Sequence, residues 1–411
     1  MAEQFLGVRT TFQTDQAPEN RIVRRVDDEL SLLEPNEGPL ITLLLQLKKR
    51  SSTDTPRLEW YEDDYVARWV NISAAGAASG VTTFVLAAPG MVVAGDMLVV
   101  PGVVTSNALP EIIRVTAVNT DGITLTVQRG FAGTTTGAIA ASAPLRIIGP
   151  SYQENDPFPN SKVRRPTAIL SYTQIFRTSC QFSKTQVATK TYNAPGGERQ
   201  REHKKKLKEH KIAMNASFLF GKASETMDYA GTGRPLRTTM GVNSVVSTNG
   251  TAVDAGGSLT YKTFEEFSRR AFRYGKNTKL LIGAPIVKSA ISFWGFSKLM
   301  LSPGETRLGV NIQKVTTAHG TWLLANDWML ENSAQGSSTG FGGMAFSLDL
   351  DQLEMRYLNA NGENRNTHII ENAVRDGRDG YMDEILTEAG LIVKQPLYHT
   401  KIYNVTDFTT T

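Results

Sequence analysis

Two stretches of like character stand far apart in this chain, and what lies between them limits the fold most. "TPRLEWYEDDYVARW", from Thr55, and "TAILSYTQIFRTSCQFSKT", Thr167–Thr185, are rich in aromatic and β-branched residues and read as extended strands. Between them the composition changes. Val70–Gly149 is poor in charge and rich in Val, Thr, Gly and Ala. It offers strand candidates at Thr82–Leu86, Met97–Val100, Glu111–Val118, Ile123–Arg129 and Leu145–Ile148. The turn Asn119–Gly122, "NTDG", between two of them is a strong hairpin signal. Short strands with glycine turns at this density predict a small all-β barrel or sandwich, carried as an insertion in a long hairpin.

The flanking sequence is mixed. Residues 1–35 read as an arm, with Ile22, Val23, Val26, Leu30 and Leu33 at near-helical spacing. "LITLLLQLKK", after Pro39, reads as a short buried helix. "STNGTAVDAGGS", at 247–258, reads as loop. "TYKTFEEFSRRAFRYG" reads as an amphipathic helix capped by Thr260 or Thr263. "TKLLIGAPIVKSAISFWGF" reads as strand, turn, helix, and "VNIQKVTTAHGTWLLANDWML" as strands joined at His319-Gly320. "NSAQGSSTGFGG" reads as a flexible loop, and "GLIVKQPLYHTKIYNV" as a closing pair of strands. Together these predict an α+β protein.

One segment holds the net charge. "ERQREHKKKLKEHK", Glu198–Lys211, has seven Lys or Arg against three Glu; the rest of the chain is balanced, so the formal charge of +4 sits here. Gly196-Gly197 frees the backbone before it, and Glu198 and Glu202 suit a helix N-terminus. Leu207, Met214 and Phe218 give it one apolar stripe. As a helix, Glu198–Ser224 would be about 40 Å long.

A search for chemistry returns no catalytic, cofactor-binding or metal-ligating set. "GKAS" at Gly221 has Ala223 where a P-loop needs Ser or Thr. Gly336–Gly340 matches G-x-S-x-G around Ser338 but lacks the strand-to-helix setting of a nucleophile elbow. His203 and His210 share a helix face about 10 Å apart, too far for one ion. "DGRDGYMDE", Asp376–Glu384, misses the spacing of a calcium loop and reads as solvated loop. The single Cys180 cannot form an internal disulfide. No secretory signal is visible. The best apolar run, Phe84–Val104, is broken by Pro89, Gly90, Gly95, Asp96, Pro101 and Gly102, so no membrane span is expected.

The order of these pieces resembles the major capsid protein of tailed bacteriophages, with the Hong Kong 97-type fold. The final segment, Asp383–Glu388 as an acidic helix-like piece, then Gly390, Leu391–Lys394, Pro396 and His399–Val405, is similar to one subgroup. "EIIRVTAVNTDGITLTVQRGFAGTT" separately resembles small β-domains of phage structural proteins, through Glu111, Val115, Arg129-Gly130 and Gly133-Thr134. The resemblance implies an N-terminal arm at 1–50 and an extended-loop hairpin at 51–70 and 150–190, with the inserted β-domain at 71–149. It implies a peripheral domain at 191–277 and 361–411, with spine helix 198–224, and an axial domain at 278–360.

The resemblance further implies a structural protein of the virion, not an enzyme. Copies would form hexamers and pentamers of an icosahedral head around double-stranded DNA, assembled in the host cytoplasm with a portal and with scaffolding or decoration proteins. The fold physics agrees: a 30-residue arm and a long hairpin cannot bury themselves and need neighbours to cover them. Arg199, Arg201, Lys204, Lys205, Lys206, Lys208 and Lys211 form a candidate basic patch. It would touch packaged DNA, dock a neighbour's acidic patch at Glu59, Glu62, Asp63 and Asp64, or simply be a solvated helix face. An encapsulin-like compartment shell, and a binding protein or enzyme bearing a β-module, are the alternatives.

Overall fold

The computed structural model describes residues 38–90, 92–101, 109–189, 197–227, 233–295, 300–307, 310–331, 340–372 and 379–408. The amphipathic spacing at 22–33 and the G-x-S-x-G centre lie outside them. The chain forms two compact units: Glu59–Ile169, and Met1–Leu58 together with Leu170–Thr411. The strands Arg57–Glu62 and Thr167–Tyr172 pair with each other where the chain passes from one unit to the other.

The smaller unit is built on six antiparallel strands: Trp69–Asn71, Thr83–Val85, Asp96–Val99, Ile112–Val118, Thr124–Gln128 and Pro144–Pro150. In space they run first, sixth, third, fourth, fifth, second. The two outer strands then meet. Ile72 bridges Leu86, Ser73 N donates to Val85 O at 2.7 Å, and Ala87 N donates to Asn71 O at 2.8 Å. The sheet therefore closes into a barrel and leaves no long unpaired edge. Alternate residues point inward, as the strand period requires: Ile113 and Val115, Leu125 and Val127, with Ile72, Phe84, Leu98 and Leu145, form its core. Asn119–Gly122 makes the expected tight turn, with Gly122 at φ +66° and the Asp121 carboxylate accepting from Ile123 N and Thr124 N. The strand Trp69–Asn71 is an addition to the five candidates.

The larger unit holds two large sheets and a two-stranded ribbon, Ser224–Met227 with Pro235–Thr238. In one, the strand Gly380–Val393 lies between Gln174–Ser183 and Leu353–Ala360, and Arg50–Thr53 pairs parallel to the latter. The other has seven strands, in the order Thr251–Leu259, Thr400–Phe408, Ala345–Leu348, Thr278–Gly283, Thr321–Asn326, Val310–Thr316, Met300–Arg307. Its strand Thr278–Gly283 sends Leu280 and Ile282 into one core and Leu281 into another. The first core also takes Leu40, Ile41, Leu43 and Leu44 of the helix Pro39–Gln46, and Met214, Phe218 and Leu219 of the basic helix. The second is aromatic: Phe264 and Phe267 of helix Tyr261–Ala271 pack on Trp322, and Phe264 also meets Trp294 of helix Pro285–Gly295. Thr260 caps Tyr261–Ala271, its hydroxyl accepting from Thr263 N. Both sheets draw strands from either side of the expected domain borders at 277/278 and 360/361. No helix among the described residues is long and apolar enough to cross a membrane.

Several readings are corrected. Asp383–Glu388 is not helix-like but lies within the strand Gly380–Val393. Every residue from Asp383 to Val393 is buried, so neither face is open to solvent and no alternation of burial shows. Asp383 and Glu384 are therefore not solvated loop. The basic helix is Glu198–Phe220, not 198–224. It ends at Gly221, whose ψ of 159° turns the chain out of the helix, and the site admits only glycine: a Cβ there would sit 2.5 Å from Ser217 O and 2.7 Å from Thr239 O. Residues 247–258 are not loop but the end of helix Val242–Asn249 and most of strand Thr251–Leu259, which absorbs Gly256 and Gly257 in a bulge. The last two strands are not partners. Gln395, at φ +53°, and the turn Pro396–Tyr398 send them into different sheets.

Candidate assembly surfaces

The basic helix begins at Gly197, whose φ of +92° suits a residue without Cβ. One face of it lies against the strands Gln174–Ser183 and Gly380–Val393, and that face is not purely apolar. Arg199 grips Asp383 with two bonds, Nε to Oδ2 at 2.5 Å and Nη2 to Oδ1 at 2.6 Å, and its guanidinium stacks 5.0 Å from the Tyr381 ring. One turn on, His203 Nε2 reaches Asp383 Oδ2 at 2.7 Å, and Asn372 N donates to Oδ1 at 3.0 Å. Burial raises the Asp383 carboxyl, but the bonds from Arg199, Asn372 and His203 outweigh it and hold the group at about 2. Two turns further, His210 is buried between hydroxyls, with Thr178 Oγ1 at Nδ1 and Thr387 Oγ1 at Nε2, each 2.9 Å away. Burial pushes its pKa down, so the neutral ring is favoured. The spacing 199, 203, 210, 214, 218 is thus one docked stripe.

The seven basic residues are not one patch. Arg199 is spent on Asp383. Arg201 pairs with Glu198 three residues back, and Lys206 donates to Glu209 at 2.6 Å. Lys208 and Lys211 also have partners. Lys204 and Lys205 make no ion pair with a described residue, and Lys204 is exposed. His203 and His210 have separate hydrogen-bond partners, and no cluster of His, Cys, Asp or Glu suited to a metal ion occurs among the described residues.

The acidic residues belong to the smaller unit and are partly used within it. Glu62 accepts from Trp60 Nε1 at 2.8 Å, Asp63 accepts from Asp64 N at 2.9 Å, and Asp64 pairs with Arg164 at 3.2 Å. Glu59 is exposed but has a partner. Large apolar side chains stand open on this unit, Tyr65 at 99% and Phe158 at 102% exposure, where a protein that acted alone would gain by covering them.

Three further ionic sites are buried, and only the first lies on residues that the sequence singled out. The pair Glu111–Arg129, each about 5% exposed, is bidentate, at 2.6 and 2.7 Å. Glu111 also accepts from Gly130 N and Gly137 N, and Arg129 donates to Ala78 O at 2.9 Å. Asp327 accepts from Asn215 Nδ2 at 2.9 Å, and burial pushes its carboxyl up. Lys279 donates to Ala271 O and Tyr398 O beside the wholly buried His399. Burial, then the Lys279 charge, lowers His399 to about 4, and burial lowers Lys279 to about 8.

The profile of the SU10 major capsid protein family matches residues 4–406 of this chain. The major capsid protein of Pseudomonas phage PaMx41 is 26% identical over 278 residues, which span 63% of this chain and 63% of that relative. Among solved structures, the capsid asymmetric unit of cyanophage A-1(L) is similar at TM-score 0.48 and 11% identity, covering 94% of this chain and 97% of that one. A native GTA particle capsid gives 0.46 at 8% identity, covering 96% and 100%. The holo-SrpI encapsulin complex from Synechococcus elongatus gives 0.41 at 11%, covering 59% and 77%.

Proposed function

Because this chain belongs to the SU10 major capsid protein family, we propose that its copies assemble as hexamers and pentamers into the icosahedral head enclosing the double-stranded DNA of a tailed phage. The family match across nearly the whole chain carries this reading. It makes the molecule a structural protein of the virion with the Hong Kong 97-type α+β fold. Assembly in the host cytoplasm, with a portal and with scaffolding or decoration proteins, belongs to the same reading and rests on the family alone.

The sheet centred on Gly380–Val393, with the basic helix docked across it, supports reading that part as the peripheral domain. The seven-stranded sheet supports reading its surroundings as the axial domain. Lys204 and Lys205 are the part of the basic helix left for another molecule. We assign them to packaged DNA, through sequence-independent phosphate attraction, rather than to a neighbour's acidic patch. The bonds already made by Glu62, Asp63 and Asp64 support that choice. Electron microscopy and gel filtration of the purified chain test the whole: closed particles or ring-shaped capsomers are expected. A stable 45.0 kDa monomer at every concentration and salt would overturn it.

A further inference from the structure

After the last barrel strand the chain does not run straight back to the pairing strand Thr167–Tyr172. It lies along the barrel wall and is fastened there. Ser151 N donates to Gly95 O at 2.8 Å, and Arg114 Nε donates to Ser151 O at 3.3 Å. Tyr152 covers Gly95 so closely that a Cβ there would sit 2.3 Å from the ring. Farther on, Lys162 Nζ reaches both oxygens of Asp96, at 2.6 and 2.8 Å, and Asp96 is wholly buried.

Between these anchors sits "DPFPN", Asp156–Asn160. Pro157 and Pro159 fix their own φ, and each holds the residue before it extended, so Asp156 and Phe158 have little freedom to lose. Yet the Phe158 side chain, at the middle of this stiff segment, is fully exposed. It stands at a cleft of about 310 Å³ whose lining includes Arg114, Thr116, Tyr152 and Asp156–Asn160, Phe158 among them. An exposed aromatic knob on a stiff backbone and a cleft whose volume exceeds that of such a ring thus lie together on one face.

We propose that this face pairs two subunits of the shell reciprocally, Phe158 of each seating in the cleft of the other. A knob adjacent to its own kind of hole is self-complementary across a two-fold axis, the arrangement of an isologous contact. The charges agree. Arg114 uses only its Nε within the chain, leaving both Nη groups free among the described residues. A seated Phe158 carries its own Asp156, two residues before, toward that guanidinium. The two fastenings have a use in this arrangement: they hold the knob in place before the neighbour arrives, which lowers the entropy lost on contact.

The inference rests on the shell reading, and its test separates the two. Cys180 is the chain's one cysteine and is buried, so new thiols report alone. In mildly oxidised particles of the double variant Phe158→Cys, Thr116→Cys, the expected result is a dimer band on a non-reducing gel that disappears with reductant. Only monomer, with thiols free or closed within one chain, overturns the contact. Phe158→Ser gives a second readout. Its particles are expected to dissociate at lower denaturant than the parent, while unassembled subunits unfold at the same concentration. Equal resistance of both particles also overturns it. Parent chains that form no particles sink the shell reading instead.

Discussion

At the scale of residues, Asp383 turns a run of positive charge into an intramolecular anchor. It is 1% exposed and meets the Arg199 guanidinium and, one helical turn on, the His203 ring, so removing it leaves the half-buried Arg199 only the exposed Glu371, at 3.5 Å, as a counter-charge. Asp383→Ala is expected to destabilise the subunit by about 3 kcal/mol or more, read as a lower urea midpoint. Acid probes two sites separately. His399 titrates near 4 when folded and near 6.5 when unfolded, so between those values the unfolded chain binds more protons. The His399 contribution is complete above about pH 6.5 and is lost as pH drops toward 4, with neutral, buried His210 acting in the same direction. Asp383, at about 2, adds a second loss between about pH 4 and 2. Urea midpoints at pH 7, 5 and 3 should step down twice. His399→Asn should flatten part of the first step, and a midpoint unchanged from pH 7 to 5 would contradict the assignment. None of these partners is visible in the linear chain: Asp383 lies 184 residues from Arg199, and an acidic pair before "ILTEAG" reads as surface.

At the scale of elements, the barrel was the most legible part, because glycine or aspartate turns bracket its strands and inward residues alternate. The strand Gly380–Val393 was the least legible. Both of its faces are covered, which erases the period of two, and its acids find partners only in other elements. The basic helix showed its stripe but not its end, since the close approach of Thr239 to Gly221 is a tertiary fact. The residues that carried the resemblance to phage β-domains now have a physical role. Glu111 and Arg129 tie three backbone segments together, and the Thr134 hydroxyl accepts from Ile112 N and donates to Phe131 O. Arg129→Ala would leave a buried carboxylate with two amide donors and no counter-ion. The expected cost is about 3–5 kcal/mol, with faster proteolysis at 130–137 than in the parent. Unchanged cleavage there would show that the pair does not hold the loop.

At the scale of the whole molecule, the chain divides between a unit with two large sheets, a short ribbon and helices, and a closed barrel. Charge reversal at Lys204 and Lys205 to Glu tests the outer face of the helix without touching its docked stripe. Normal empty particles with reduced retention of DNA are expected, the difference from the parent being largest at low salt and shrinking as salt rises; loss of particles altogether would point to a subunit contact instead. The resemblance was legible in the order of segments rather than in any one motif, since no catalytic or metal-ligating set marks the sequence. The barrel's manner of attachment reaches beyond this chain. Its way in and its way out are two strands bonded to one another, so the visitor between them could be traded for a different one, or trimmed to a short turn, without asking the host sheet to change. That makes Glu62 to Thr167 a natural socket, a place where one inserted module can be exchanged for another.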